Sequence, residues 1–112
     1  MGVTFVQTGD SIDYTPSADV AAGEVVVQGD LIGVAKTPIA ADKMGALAVT
    51  GVFDFPKATG AGTAITAGTI VYWDVADAEA KADSETGANK LIGKVLQDAA
   101  DADTTVRARL SQ

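Results

Sequence analysis

The chain contains no cysteine and no histidine. Without cysteine there is no disulfide, no thiol nucleophile and no thiolate metal site. Without histidine it lacks the commonest general base, the commonest metal ligand and the side chain whose charge switches near neutral pH. Basic residues are scarce: 8 Lys and Arg stand against 15 Asp and Glu, a formal charge of −7. A surface that grips nucleic-acid phosphates needs the opposite balance, so no nucleic-acid partner is expected. No run approaches the roughly 20 apolar residues of a membrane-spanning helix. Residues 1–10 carry no Lys or Arg and no apolar block, so they do not read as a secretory signal, and a cytoplasmic origin is expected. Together these absences lean away from catalysis. No catalytic residue, metal, cofactor or membrane contact is expected.

What remains is a chain of 112 residues, 47% hydrophobic, which is the size of one domain and apolar enough to fold. Residues 1–112 are expected to form a single β domain. The core material is thin: 21 Ala and 12 Gly contribute almost no side-chain volume. Thin layers, or extra burial between subunits, would compensate.

Glycine punctuates short runs of Val, Ile, Thr and aromatics, the pattern of strands on a pleated surface. Strands are expected at residues 3–6, 12–15, 24–28, 31–36, 46–55, 69–73, 91–96 and 104–110. The last alternates cleanly, with Val106, Ala108 and Leu110 on one face and Arg107 and Arg109 on the other. Residues 17–22 read as one helical turn capped by Ser17. Residues 75–83, VADAEAKAD, alternate Ala with polar residues and read as an edge strand or hairpin arm. A repeat runs through the chain. AGEVV (22–26), LIGV (31–34) and ALAV (46–49) return as AGTIV (67–71), LIGKV (91–95) and VRARL (106–110). The extra length of the second copy falls at residues 75–89, a surface insertion or hairpin whose partial deletion should be tolerated. The fold class expected is all-β, a small barrel or sandwich built from a duplicated three-strand unit.

Few motifs suggest chemistry. Gly60-Ala61-Gly62-Thr63-Ala64 resembles a phosphate cradle but lacks the following Lys, and reads as a surface loop. Asp74, Asp77, Glu79, Asp83 and Glu85 lack calcium-loop spacing and read as a solvated acidic face, as do Asp98, Asp101 and Asp103. Asp54 interrupts the apolar stretch Val52-Phe53-Asp54-Phe55-Pro56 without a partner base, on the strand face opposite Phe53 and Phe55. The residues singled out for a protein interface are Trp73, Tyr72, Phe53, Phe55, Arg107 and Arg109. Aromatics and Arg are favoured at the centre of subunit contacts. The two arginines would either pair with a neighbour's acids or form a solvated edge.

Six phrases taken in order carry a family resemblance: FVQTGD (5–10), GDLIGVA (29–35), TGVFDFPKATG (50–60), AGTIVYWD (67–74), LIGKVL (91–96) and ADTTVRARL (102–110). In this order and spacing they resemble the capsid cement, or head decoration, proteins of tailed bacteriophages and prophages. The resemblance implies a compact all-β protein, made in the host bacterial cytoplasm, that sits on the capsid exterior of the virion. It implies the major capsid protein as partner, with neighbouring subunits bridged and the shell stabilised. It also implies self-association as a homotrimer or homodimer at a local symmetry axis. No contact residue is carried over. The alternative is a particle-displayed module that binds carbohydrate or a host surface, stacking its ligand on exposed Tyr14, Tyr72 or Trp73.

Overall fold

A computed structural model describes residues 2–7 and 9–111. Among them, two antiparallel sheets account for all the regular strands. The first holds β1 (Ser11–Tyr14), β2 (Val25–Gln28), β3 (Leu31–Val34) and β4 (Gly45–Ala48), in the order β1-β4-β3-β2. The second holds β5 (Gly51–Pro56), β6 (Ile70–Asp74), β7 (Glu79–Lys81), β8 (Lys90–Val95) and β9 (Thr105–Leu110), in the order β5-β9-β8-β6-β7. The fold is all-β and sandwich-like, not a closed barrel. The alternation of β9 sets its faces: Val106, Ala108 and Leu110 are buried, while Thr105, Arg107 and Arg109 are exposed.

Three expected elements differ. Residues 46–55 are not one strand. The chain turns at residues 49–50, and Gly51, with φ of 130°, lets it leave β4 in one sheet and enter β5 in the other. An unbroken apolar run hides such a sheet switch. Residues 3–6 pair with no strand among the described residues. Residues 17–22 form no helical turn. Val20 instead exchanges backbone hydrogen bonds with Ile39 at 2.8 and 2.9 Å, and the Asp19 carboxylate accepts the Ala41 N–H.

The internal repeat is present and longer than the sequence suggests. β1, β2, β3 and β4 correspond in sheet order to β5, β6, β8 and β9. The Val20–Ile39 bridge corresponds to Ile65–Ala99. The 2.6 Å bond from Gly23 N–H to the Ala35 carbonyl corresponds to the 2.7 Å bond from Gly68 N–H to Val95. The element missed was the first one. Ser11-Ile12-Asp13-Tyr14 matches Val52-Phe53-Asp54-Phe55 in burial alternation, although the side chains share only the Asp and an aromatic. The unit is therefore four strands, not three.

The cores repeat as well. Val20, Val26, Ala35, Ile39 and Leu47, with Ile12 and Tyr14, fill one side of the first sheet. Their counterparts Ile65, Val71, Val95, Ala99 and Ala108, with Phe53 and Phe55, lie in the main core. Ile32 and Val34 of β3 join that main core beside Ile92 of β8, so the halves meet through equivalent strands. The abundance of small residues follows from close layers. A methyl group at Gly45 would lie 2.6 Å from Ile39, and Ala35 and Ala108 are fully buried.

The stretch 75–89 supplies β7, which pairs antiparallel with β6, and a short turn at Glu85–Gly87. It is not purely superficial. Ala80 lies opposite Trp73 and is only 2% exposed, so part of the hairpin lids the core. The expected tolerance to deletion therefore does not extend to β7.

Candidate functional site

The loops that resembled chemical motifs are closed by their own side chains. The N–H groups of Thr63 and Ala64, which would cradle a phosphate, donate to the Asp101 carboxylate at 3.1 and 2.8 Å. Asp98 accepts the Ala67 N–H, and Asp103 accepts the Ala100 N–H. These acids are exposed, as a solvated face requires, and also pin loops, a role their sequence gave no sign of. Lys57 was also overlooked. It is buried, and its ammonium donates to the Ala58 carbonyl, the Asp103 carbonyl and Thr63 Oγ1, tying the end of β5 to two loops.

The acids of the insertion gather around an ammonium. Lys81 Nζ lies 2.9 Å from Asp74 and 3.9 Å from Glu85, and also pairs with Asp77. Hydrogen bonding from Lys81, helped by the Asp77 N–H, lowers the Asp74 pKa from 3.8 to about 2 against the opposing effect of burial. Asp74 and Asp77 in turn raise that of Lys81. Among the described residues, no cluster of His, Cys, Asp or Glu is arranged to hold a metal ion.

The outer face of the second sheet has a different character. Strand register lines up Val52, Arg109, Lys94 and Ile70 in one row across β5, β9, β8 and β6. All four are exposed. On one side of this row Leu91 lies opposite Tyr72. On the other, Asp54 pairs with Arg107 across the strands at 2.9 and 3.1 Å, with Leu96 beside them. The hydrogen bonds from Arg107 lower the Asp54 pKa, and Asp54 raises that of Arg107. Ile70, Leu91, Leu96, Lys94 and Arg109 frame a groove of about 350 Å³ whose floor is Gly93. A β-bulge between Val71 and Tyr72 sits beside this floor and brings Leu91 alongside Ile70.

Two features of this face are unfavourable in the isolated chain. Ile70, Leu91, Leu96 and Val52 expose large apolar side chains together. Lys94 and Arg109 stand directly opposite each other, and like charges so placed destabilise a strand pair. Neither cation has a carboxylate partner among the described residues, whereas Lys81, Lys90 and Arg107 each do.

The six residues singled out from sequence divide between core and face. Trp73 and Phe55 lie in the core, 7% and 2% exposed, with ring centroids 6.2 Å apart. Phe53 is half-buried and packs edge-on against Phe55. Tyr72, Arg107 and Arg109 occupy the outer face. Sequence reasoning missed Val52, Ile70, Leu91, Lys94 and Leu96. The available signal was large apolar residues at outward positions of otherwise alternating strands. Tyr14, offered for ligand stacking, packs against the smaller core.

The double-sheet scaffold, with apolar and cationic side chains exposed together on one outer face, defines a small all-β protein. The phage cement protein family matches residues 6–110, nearly the whole chain, and the chain belongs to that family. It is a structural protein of the phage capsid. Comparison with curated proteins and with solved structures finds no match. No helix among the described residues is long and apolar enough to cross a membrane.

Proposed function

We propose that the protein decorates the exterior of the capsid and stabilises it by bridging neighbouring major capsid subunits, acting as a homotrimer or homodimer. The observation that carries this reading is adhesive surface left uncovered on a braced scaffold. The outer face of the second sheet and the apolar side chains of residues 3–6 are both exposed. A five-stranded sheet presents such a face with little ordering cost on binding. A copy that binds the assembled lattice more tightly than free subunits stabilises the shell by mass action. The charge of −7 suits a protein held at high local density outside the shell, away from packaged DNA.

The reading that the protein displays a carbohydrate site needs exposed aromatic faces. Trp73 is buried, and Tyr14 and Tyr72 are each partly covered, so the capsid reading is preferred. The deciding experiment adds purified protein to expanded capsids stripped of it. Saturable co-sedimentation and a raised capsid melting temperature are expected. No binding, together with absence of the protein from virions by mass spectrometry, would refute the proposal.

A further inference from the structure

Two uncovered features of this chain complement each other. The first is the segment at residues 2–7, Gly-Val-Thr-Phe-Val-Gln, which carries no charge. Val3, Phe5 and Val6 are 103%, 82% and 83% exposed, and no strand among the described residues pairs with them. Its composition is that of a strand, with β-branched and aromatic residues at four of six positions. The second is the groove on the outer face of the second sheet, walled by Ile70, Leu91 and Leu96, floored by Gly93 and rimmed by Lys94 and Arg109, which have no carboxylate partner among the described residues.

We infer that residues 3–6 of one copy dock in this groove of a second copy, and that this exchange is the self-association contact of the protein. The inference rests on the proposed function only in its homo-oligomeric part. Charge complementarity favours a second copy of this acidic chain as the occupant. The chain is strongly acidic, and exposed Asp10 and Asp13 follow the apolar segment closely. Asp10 lies five residues after Phe5, a reach of about 17 Å if extended. With Phe5 seated between Leu91 and Ile70, that reach is enough for Asp10 to approach the rim cations. The facing pair Lys94 and Arg109 then gains a carboxylate that no described residue of its own chain supplies, and the exposed apolar groups on both sides are buried. The contact joins two different surfaces. It closes reciprocally in a pair or cyclically in a ring, as the proposed dimer or trimer requires; an open-ended assembly would count against it.

The absence of cysteine makes the test clean. Wild type is expected to scatter light as a multiple of 11.3 kDa. The variant Val3→Ser/Phe5→Ser/Val6→Ser, and separately Leu91→Asp, should each fall to the single-chain mass with unchanged circular dichroism. All four residues are exposed, so folding should survive. On oxidation, a mixture of Phe5→Cys and Leu91→Cys chains should give the mixed disulfide. A mixture of Phe5→Cys with Ala18→Cys, on an exposed loop beside the first sheet, should give several-fold less. A wild type of single-chain mass, a serine variant that keeps the wild-type mass, or equal cross-linking at Ala18 would each overturn the inference. Capsid co-sedimentation of the same proteins separates the two readings. A serine variant that keeps its mass but no longer binds capsids would assign the segment to the shell and overturn the exchange. A wild type that shows the expected assembly and cross-link but binds no capsid would refute the functional proposal and support the exchange.

Discussion

Gly33 and Gly93 occupy equivalent positions in the two LIG repeats, yet substituting them should have very different consequences. A methyl group built on Gly93 would lie 2.0 Å from the Arg109 carbonyl oxygen and 3.1 Å from the Ser111 nitrogen. Both are backbone atoms, so relief requires β8 and β9 to separate. Ordinary contact demands an opening of about 1.4 Å, which stretches neighbouring ladder bonds beyond hydrogen-bonding range. Loss of two such bonds costs about 1–3 kcal/mol. The φ of 153° at Gly93 adds about 1–3 kcal/mol of strain for an L-residue. The expected cost of Gly93→Ala is therefore about 2–6 kcal/mol, a large share of a typical total stability of about 5–15 kcal/mol. At Gly33 the same methyl would meet Leu47 Cβ at 2.8 Å, with the Ala48 carbonyl at 3.3 Å. Leu47 Cβ is fixed to its backbone, so β3 and β4 must also shift, but by about half the distance needed at Gly93 and with no left-handed φ. Gly33→Ala should therefore cost about 1–2 kcal/mol, in the lower part of the range for overpacking. At about 4 °C per kcal/mol, the melting temperature should fall about 15 °C for Gly93→Ala and about 6 °C for Gly33→Ala. Thermal melts followed by circular dichroism give the temperature shifts, and urea titrations followed by Trp73 fluorescence give the free energies. Equal losses, or a Gly93→Ala protein within a few degrees of wild type, would refute the argument that the β8–β9 backbone approach makes this glycine necessary.

Trp73→Ala should destabilise the fold by about 3–5 kcal/mol, since it empties a core site against Phe55, whereas Trp73→Phe should cost much less; chemical denaturation distinguishes them. Asp54→Ala should cost no more than about 1 kcal/mol because its cross-strand pair with Arg107 is exposed, and a double-mutant cycle with Arg107→Ala should shrink in high salt. Asp74 has its pKa depressed from 3.8 to about 2 in the fold, so its contribution to stability is present above pH 3.8 and is lost as pH falls towards 2. Melting curves of wild type should drop across that interval, and Asp74→Asn should flatten the drop; parallel curves would contradict the assignment. Lys81, raised above 10.5, should hold its contribution up to that pH and lose it only at higher pH. Deleting residues 76–85 should lower the melting temperature, because it removes Ala80 from over Trp73 and Lys81 from Asp74, and an unchanged value would show that β7 is dispensable.

Much of this protein is legible in its sequence because the signals are local. Alternation over residues 105–110 fixes which side of β9 is buried, since successive side chains on a strand point to opposite faces. The paired AG and LIG phrases reveal a duplication, because the turns before β2 and β6 and the close approach at Gly33 and Gly93 demand the same small residues in each half. Missing histidine and cysteine and a net acidic charge narrow the function without any coordinates. Other features depend on which segments meet in space. Nothing local marks the switch between sheets at Gly51, because the apolar pattern runs straight through it. The kinship of Ile12-Asp13-Tyr14 with Phe53-Asp54-Phe55 is carried by burial and pairing rather than by residue identity. Asp98, Asp101 and Asp103 are solvent-facing acids as the sequence suggests, but only the fold brings them to backbone N–H groups about 30 residues or more away, or three away in the case of Asp103. The outer face exists only because strand register aligns Val52, Arg109, Lys94 and Ile70 from four strands. Pairing between distant strands is a property of the assembled sheet, and no window along the chain contains it.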